Sequence, residues 1–220
     1  MNPSCNTSKD ALMVLSGGMD SVTMLHDYAS SIALAVYFHY GSNHEAREAE
    51  CARIQCRMAG IELVEIDLGF MATHFSSSLL SGADAIPSAD YAPDNMLSTV
   101  VPFRNGIMLS VAAGLAESRG LKAVMIANHS GDHSVYPDCR PAFISAMGGA
   151  VAQGTYAAIE LRAPYTSMSK SDIARRGAAL GVDYSLTYSC YRGGERHCGT
   201  CATCRERRQA LADAGIFIDD

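Results

Sequence analysis

Two glycines and two serines lie together in the stretch LSGGMDS at residues 15–21, between an apolar run and a helix-like run. Glycines at such a junction let the backbone adopt positive φ and approach a ligand, and the free N–H groups of a helix N-terminus attract an anion. An acidic side chain there can hold Mg²⁺ or cap the helix. We therefore predict a phosphate-binding site at Leu15, Ser16, Gly17, Gly18, Met19, Asp20 and Ser21, with Asp20 as the candidate Mg²⁺ ligand.

The spacing of this stretch differs from two common nucleotide-binding loops. It lacks G-x-x-x-x-G-K-[ST], because no lysine follows the glycines, and it is not G-x-G-x-x-G. SGGMDS instead resembles the signature of the ATP pyrophosphatase superfamily, whose members adenylate a carboxyl or carbonyl oxygen and release pyrophosphate. The resemblance implies that residues 15–21 bind the phosphates of ATP. A tight turn between a strand and a helix is the alternative interpretation.

Four of the eight cysteines form a second pattern near the end of the sequence. Cys190, Cys198, Cys201 and Cys204 follow the spacing C-x₇-C-x₂-C-x₂-C. Zn²⁺ prefers four tetrahedral sulfur or nitrogen ligands, so four thiolates leave no open position. We predict one structural zinc ion per chain, with an iron–sulfur cluster as the alternative and His197 as a competing ligand.

Two further stretches carry polar side chains suited to ligand binding. VPFRNG places Arg104 and Asn105 at the start of a helix, where a carboxylate or phosphate can be held by paired hydrogen bonds. HSGDHSVYPDCR, residues 129–140, follows a strand and contains two histidines, two aspartates, a tyrosine and an arginine. This second stretch is predicted to lie at a ligand-binding edge of a sheet.

Apolar runs alternate with helical patterns along most of the sequence. Predicted strands cover residues 11–15, 32–38, 61–68, 122–128 and 158–164, and predicted helices cover 21–30, 44–59, 104–119, 139–153 and 169–180. Such alternation is typical of a parallel sheet covered on both faces. We predict a Rossmann-like α/β fold with an open, mostly parallel five-stranded sheet, helices on both faces and a small C-terminal four-cysteine zinc-binding segment.

Two regions interrupt this alternation. Residues 70–102 run long between a strand and a helix, which is typical of a functional lid or a disordered loop. The cysteine pattern lies beyond the last predicted helix. We therefore divide the chain into an adenine-nucleotide-binding α/β domain at residues 1–182 and a zinc-binding segment at residues 183–220 that packs on it.

Charge and hydrophobicity restrict the expected partners. The net charge is −6, and the small basic cluster RERR at residues 205–208 is interpreted as a solvated helix face, so direct tRNA binding is not expected. The apolar runs are strand-sized rather than membrane-spanning, and no secretory signal is visible. We expect a cytoplasmic protein with small-molecule substrates and no membrane contact.

Taken together, SGG-x-DS, VPFRNG, GDH-x-x-YPDCR and the four-cysteine ending resemble the 7-cyano-7-deazaguanine synthase family of queuosine biosynthesis, over about residues 11–208. The resemblance implies conversion of 7-carboxy-7-deazaguanine and ammonia to the nitrile, with ATP and Mg²⁺ as co-substrate. It also implies a homodimer. No glutaminase domain is visible, so free ammonium is the expected nitrogen source.

The resemblance assigns catalytic roles to Asp20, Arg104, Asp132 and His133. Arg104 would neutralise the substrate carboxylate or a phosphate, with a surface ion pair as the alternative. Asp132 would accept hydrogen bonds from the guanine-like N–H groups. His133 would move protons during attack by ammonia, although a structural role is also open.

The resemblance assigns substrate binding to Arg104, Asn105, Asp132, Tyr136, Asp138 and Arg140. Tyr136 would stack on the deazapurine or pack beneath the loop. Asp138 would share the N–H face or cap a turn, and Arg140 would contact an anion. Cys139 is interpreted as a loop residue.

One stretch departs from the family pattern. Many members read YGQRH with a glutamate three residues later, whereas this sequence reads YGSNHEARE, with Arg47 at the glutamate position. His44 keeps its place, and Glu48 or Glu45 could substitute for the missing glutamate.

Three other functions stay open. A tRNA sulfurtransferase of the same superfamily would use a cysteine persulfide, with Cys139 as the candidate. A divergent relative would join the deazaguanine carboxylate to a protein amine. A nucleotide-binding sensor stabilised by zinc would carry out no catalysis.

Overall fold

The computed structural model describes residues 9–81 and 96–218. Its centre is a sheet of five parallel strands in the order β3-β2-β1-β4-β5. The strands are β1 (Ala11–Val14), β2 (Ile32–His39), β3 (Glu62–Asp67), β4 (Ala123–Met125) and β5 (Glu160–Arg162). The predicted parallel α/β fold is therefore confirmed.

Helices cover both faces of this sheet. In the described residues they are α1 (Met19–Asp27), α2 (Glu45–Ala59), α3 (Phe70–His74), α4 (Arg104–Ser118), α5 (Pro141–Gly154), α6 (Lys170–Ala179) and α7 (Ala202–Asp213). Successive strand residues point to opposite faces. Ala11 and Met13 accordingly pack with α1, α2, α6 and α7, whereas Leu12 packs with α4 and α5.

The strand order places a crevice at the centre of the sheet. β1 pairs with β2 on one side and with β4 on the other, so the connections after β1 and β4 leave in opposite directions. Ligands of open parallel sheets bind at such a switch point, outside the carboxyl ends of the strands. The SGGMDS loop follows β1, and the segment 129–140 follows β4.

Two element boundaries differ from the predictions at this crevice. The first helix, predicted at residues 21–30, runs from Met19 to Asp27 with Gly18 as its N-cap. Asp20 therefore lies in the first helical turn rather than in the loop. The fourth strand, predicted at 122–128, pairs only over Ala123–Met125.

The C-terminal segment shares the core of the α/β domain. Ala210 and Leu211 of α7 pack in the same cluster as Ile173 and Val182. The boundary at residue 182 stays a prediction. The long stretch 70–102 contains α3 and a short 3₁₀ helix at Leu97–Thr99, and its residues 82–95 lie outside the described residues.

One segment, Leu97–Ser118, is long and apolar enough to cross a membrane by length and composition alone. Half of its most apolar window is buried inside the protein. Leu109 and Ala112 of α4 are fully buried in the core cluster on that face of the sheet. We therefore assign α4 as a core helix.

Candidate active site

A cavity opens at the central crevice. It is lined by the SGGMDS loop, the starts of α2 and α4, the segments after β2 and β4, and part of the C-terminal segment. The cavity brings together ten of the predicted site residues: Leu15, Ser16, Gly18, Met19, Asp20, Ser21, Arg104, Asn105, Asp132 and Tyr136. Gly17, His133, Asp138 and Arg140 do not line it.

Hydroxyl groups hold the SGGMDS loop in shape. The Ser16 and Ser21 oxygens lie 3.0 Å apart, and the Gly18 N–H donates to Ser16 Oγ at 3.2 Å. The Ser21 hydroxyl donates to the Gly18 carbonyl at 3.1 Å. These bonds fix the first turn of α1 beside the cavity, where helix N–H groups favour a bound anion.

Gly17 has a packing role that the sequence did not reveal. Its φ is 80°, and a Cβ placed there would lie 2.3 Å from the Glu48 carbonyl oxygen of α2. Its own carbonyl accepts a hydrogen bond from Tyr188 N at 3.1 Å. The close approach of α2 therefore requires a glycine at this position, and the role of Gly17 in ATP binding stays a prediction.

Lys170 supplies a positive charge beside Asp20. Its Nζ lies 3.4 Å from Asp20 Oδ2 and 2.9 Å from Glu206 Oε2. Burial works to lower the Lys170 pKa, but Asp20, Glu206 and Asp132 outweigh that effect and raise it. Lys170 therefore carries its charge at neutral pH, at the first position of α6.

His129 links two carboxylates of the same wall. Its Nδ1 accepts a hydrogen bond from Gly131 N at 3.1 Å, which assigns the ring proton to Nε2. Nε2 lies 3.7 Å from Asp20 Oδ2 and 3.5 Å from Asp132 Oδ2. Asp20, Asp132, His129 and Lys170 therefore form one wall of the cavity, beside the SGGMDS loop. We call this wall the phosphate side.

Arg104 is a largely buried cation on another part of the cavity wall. It begins α4 directly after Phe103, which has a left-handed φ of 53°, and its guanidinium lies 5.8 Å from the centre of the Tyr40 ring. Burial works to lower the Arg104 pKa, but Tyr40 and Asp138 raise it further. In the described parts of the chain no carboxylate lies within 4.0 Å of the guanidinium. The predicted role of Arg104 and the alternative of an ion pair both stay predictions.

The altered YGSNHEARE loop also reaches the cavity, through His44 and Glu48. Glu48 Oε2 lies 3.6 Å from His44 Nε2. Burial raises the pKa of Glu48 to about 8, with Arg104 opposing, and burial together with Arg104 lowers the pKa of His44 to about 4. Glu45 instead accepts from Gly41 N at 2.6 Å, and Arg47 pairs with an exposed neighbouring glutamate.

Asp138 does not line the cavity but hydrogen-bonds to Asn105, which does. Its Oδ2 accepts from Asn105 N at 2.8 Å, and the Asn105 side chain donates to the Asp138 carbonyl at 3.3 Å and to Cys139 Sγ at 3.2 Å. These bonds fasten the segment after β4 to the start of α4. The Asp138 carboxylate accepts from an N–H of the first turn of α4, which fits the interpretation of Asp138 as a cap. Its substrate-binding role stays a prediction.

Tyr136 lines the cavity and anchors its wall. Its hydroxyl lies 3.0 Å from Thr99 Oγ1 and 2.9 Å from the Tyr191 hydroxyl. Arg140 is exposed, and its Nε donates to the His133 carbonyl at 2.9 Å. Neither His133 nor Arg140 lines the cavity, and the roles predicted for both stay predictions.

The four predicted metal ligands converge. The sulfur atoms of Cys190, Cys198, Cys201 and Cys204 all lie within 4.8 Å of one another. The backbone N–H of Cys201 donates to Cys198 Sγ at 3.3 Å, which suits a thiolate. His197 Nε2 accepts from Ser189 N at 3.0 Å, so this ring nitrogen is engaged elsewhere. The chain therefore forms a closed four-sulfur group able to hold a metal ion.

Comparison with known proteins assigns the chain to a family. Residues 10–215 match the model of the family described as Queuosine biosynthesis protein QueC. The chain belongs to the QueC family.

Named relatives are similar over nearly their full length. The 7-cyano-7-deazaguanine synthase of Porphyromonas gingivalis is 57% identical over 208 residues, which cover 94% of this chain and 94% of that protein. The synthase of Desulfotalea psychrophila is 48% identical, covering 92% and 93% of the two chains. The synthase of Methanoregula boonei is 42% identical, covering 93% and 95%.

The fold is also similar to that of a solved NMN synthetase from Francisella tularensis. The TM-score is 0.51, and the alignment covers 96% of this chain and 89% of that chain at 10% identity. At that identity the similarity concerns the fold alone.

Proposed function

We propose that this member of the QueC family catalyses the ATP-dependent conversion of 7-carboxy-7-deazaguanine and ammonia to 7-cyano-7-deazaguanine. One observation carries the proposal: the SGGMDS loop and Arg104 line the same cavity. The loop would hold the phosphates of ATP, and Arg104 would hold the carboxylate of the acid. Both reactants would therefore bind side by side in one cavity. We also propose that the reaction takes place in the cytoplasm, in a homodimer that does not bind tRNA directly.

ATP would bind with its phosphates at the first turn of α1. Asp20 Oδ1 is buried and has no hydrogen-bond partner in the described residues, which suits a ligand for the Mg²⁺ that accompanies ATP. The ammonium group of Lys170 would pair with phosphate oxygens beside it.

The acid would bind with its carboxylate on Arg104, since this guanidinium lines the cavity and can hold a carboxylate by paired hydrogen bonds. Tyr40, Tyr136 and Tyr191 line the same cavity and offer apolar ring surface to the deazapurine. Asp132 also lines the cavity and would accept hydrogen bonds from the guanine-like N–H groups.

The proposed chemistry proceeds through two activations. Attack of a substrate carboxylate oxygen on the α-phosphorus forms an acyl adenylate and releases pyrophosphate. Ammonia then forms the C–N bond, and AMP leaves with that oxygen to give the amide. A second activation attaches AMP to the amide oxygen, and loss of AMP and the two remaining N–H protons gives the nitrile.

The four-cysteine group would hold one structural zinc ion. Four sulfur ligands complete a tetrahedron, so the ion would stabilise the fold rather than bind substrate. It would keep the C-terminal segment in place against the cavity.

Cys139 distinguishes this proposal from sulfur transfer. The thiol is buried, it accepts a hydrogen bond from Asn105 at 3.2 Å, and burial raises its pKa. A buried thiol of raised pKa is a poor nucleophile. Cys139→Ser should therefore retain nitrile formation, whereas a persulfide mechanism would lose all product.

The test is a mass-spectrometric assay with 7-carboxy-7-deazaguanine, ammonium, ATP and Mg²⁺ that follows both the base and the nucleotide. The nitrile is the expected product. An amide or adenylate that accumulates without nitrile would support the divergent ligase instead. Absence of ATP turnover with this acid would support the sulfurtransferase or the sensor.

A further inference from the structure

Glu48 lines the cavity, and the proposed activation of the acid gives its carboxylate no role. It lies one helical turn after His44, and the exposed fractions of the two side chains are 13% and 4%. In the described residues, the carboxylates that line the cavity are Asp20, Asp132 and Glu48. A third carboxylate beside two that already face the phosphate site needs a separate explanation.

The neighbours of Glu48 separate it from the other two carboxylates. Asp20 and Asp132 both face His129, on the phosphate side. Glu48 instead lies within the electrostatic reach of Arg104, which also acts on His44. The charged and titratable groups that bear on Glu48 are Arg104 from α4, Tyr37 and Tyr40 from β2 and the loop after it, and His44, Glu45 and Cys51 from α2 and its N-cap.

The proposed reaction needs a base near the activated carboxyl group. Ammonia is present in neutral solution mainly as ammonium, whose nitrogen has no free electron pair for attack. A buried carboxylate can both bind this cation and accept its proton. His44 is less suited, because it is buried beside Arg104, which disfavours its protonated form.

We propose that Glu48 binds ammonium and is the catalytic base that deprotonates it. The proposal rests on the proposed function. An N–H bond of ammonium breaks, its electron pair stays on nitrogen, and the proton moves to the Glu48 carboxylate. The resulting ammonia forms the C–N bond with the activated carbon, and AMP leaves with the bonding electron pair of the C–O bond. The leaving phosphate oxygen of AMP takes the second proton, which the attacking nitrogen loses to give the amide.

Arg104 couples this step to activation. While the substrate carboxylate lies on Arg104, the guanidinium is neutralised, and the buried Glu48 favours its protonated form. Adenylation removes the charge from the carboxylate, so Arg104 becomes free to stabilise the Glu48 anion. Glu48 is thereby ionised when ammonium must be received.

The experiment compares wild type, Glu48→Gln and the control Glu50→Gln, an exposed position on the same helix. Without a nitrogen source, the exchange of labelled pyrophosphate into ATP that depends on added 7-carboxy-7-deazaguanine measures adenylation of the acid alone. Amide and nitrile formation are then measured with ammonium, and hydroxamate formation is measured with hydroxylamine, which is already unprotonated at neutral pH.

The expected result is that Glu48→Gln keeps the exchange and the hydroxylamine reaction but slows the ammonium reaction by about 100-fold, the scale of general-base catalysis. The residual ammonium rate should rise with pH in proportion to free ammonia. Equal loss with both nucleophiles, loss of the exchange reaction, or an unchanged ammonium rate would each overturn the proposal. Failure of the proposed function would be distinct, because wild type itself would then show no acid-dependent exchange.

Discussion

Paired charges determine the chemistry of the cavity at the scale of single residues. Lys170 lies between Asp20 and Glu206, and His129 lies between Asp20 and Asp132. These contacts gather the Lys170 ammonium and the Asp20 and Asp132 carboxylates at one wall of the cavity. Asp20 is thereby placed where it would bind Mg²⁺, and Lys170 where it would pair with phosphate oxygens.

Replacement of Lys170 by methionine should weaken ATP binding. The loss of one charged hydrogen-bond donor corresponds to about a tenfold to hundredfold rise in the ATP KM. The KM for the acid should change little, because Lys170 is assigned to the phosphates. Steady-state kinetics with each substrate varied checks this. Arg175→Met, at an exposed position of α6, is the matched control, and an equal effect in the control would contradict the assignment.

Sequence reasoning found one part of this network and missed another. Asp20 was visible because it follows two glycines within a single motif. Lys170 and His129 were missed, since they come from distant segments. Lys170 meets Asp20 only after α6 packs beside α1, and His129 only after β4 pairs with β1. Within residues 129–140 the sequence could not show which side chains face inward, so His133 was preferred to His129.

Contact between two elements shapes the phosphate loop. Gly17 packs against the backbone of α2 at Glu48, so the loop that would hold phosphates and the helix that carries Glu48 are in direct contact. A shift of either element would move the other. The loop geometry is therefore a property of the packed pair rather than of the SGGMDS sequence alone.

Replacement of Gly17 by alanine should destabilise the protein more than the same change at Gly60. Both glycines have positive φ, and alanine at Gly60 carries only the left-handed backbone cost of about 1 kcal/mol. At Gly17 the Glu48 carbonyl must also move, which should add about 2 kcal/mol. Denaturant unfolding of both variants measures the difference. Equal unfolding free energies would show that α2 does not constrain the loop.

The elements themselves were largely predictable from hydrophobic pattern. All five strands lie within their predicted ranges or within two residues of them, since continuous apolar runs mark strands buried on both faces. The start of α1 was placed two residues late, because the glycines suggested a longer loop. Hydrogen bonds among Ser16, Gly18 and Ser21 close the first turn earlier.

At the scale of the whole molecule, the C-terminal segment completes the cavity. Tyr188, Ser189, Tyr191 and Thr203 line it and come from the residues around the four cysteines. The buried side chain of Arg207 also donates to the Tyr184 carbonyl and to Thr187, which ties α7 to the preceding chain. The cysteine group therefore holds part of the cavity wall in position.

Loss of the metal ion should cost both stability and activity. Purified protein should contain one zinc ion per chain, and Cys201→Ser should lose that ion and unfold at lower temperature, because metal binding contributes folding free energy. Metal analysis and thermal unfolding measure these effects. Cys51→Ser, which changes a neighbouring thiol outside the ligand group, should keep the zinc. Full zinc content in Cys201→Ser would exclude the four-sulfur site.

The fate of the carboxylate oxygens tests the central claim most directly. In the proposed reaction each of the two oxygens of 7-carboxy-7-deazaguanine leaves on a separate AMP. With both oxygens labelled as ¹⁸O, mass spectrometry of the nucleotide products should find one ¹⁸O in each AMP formed and two labelled AMP molecules for each nitrile. Label in inorganic phosphate, or nitrile formed with unlabelled AMP, would contradict activation by adenylation.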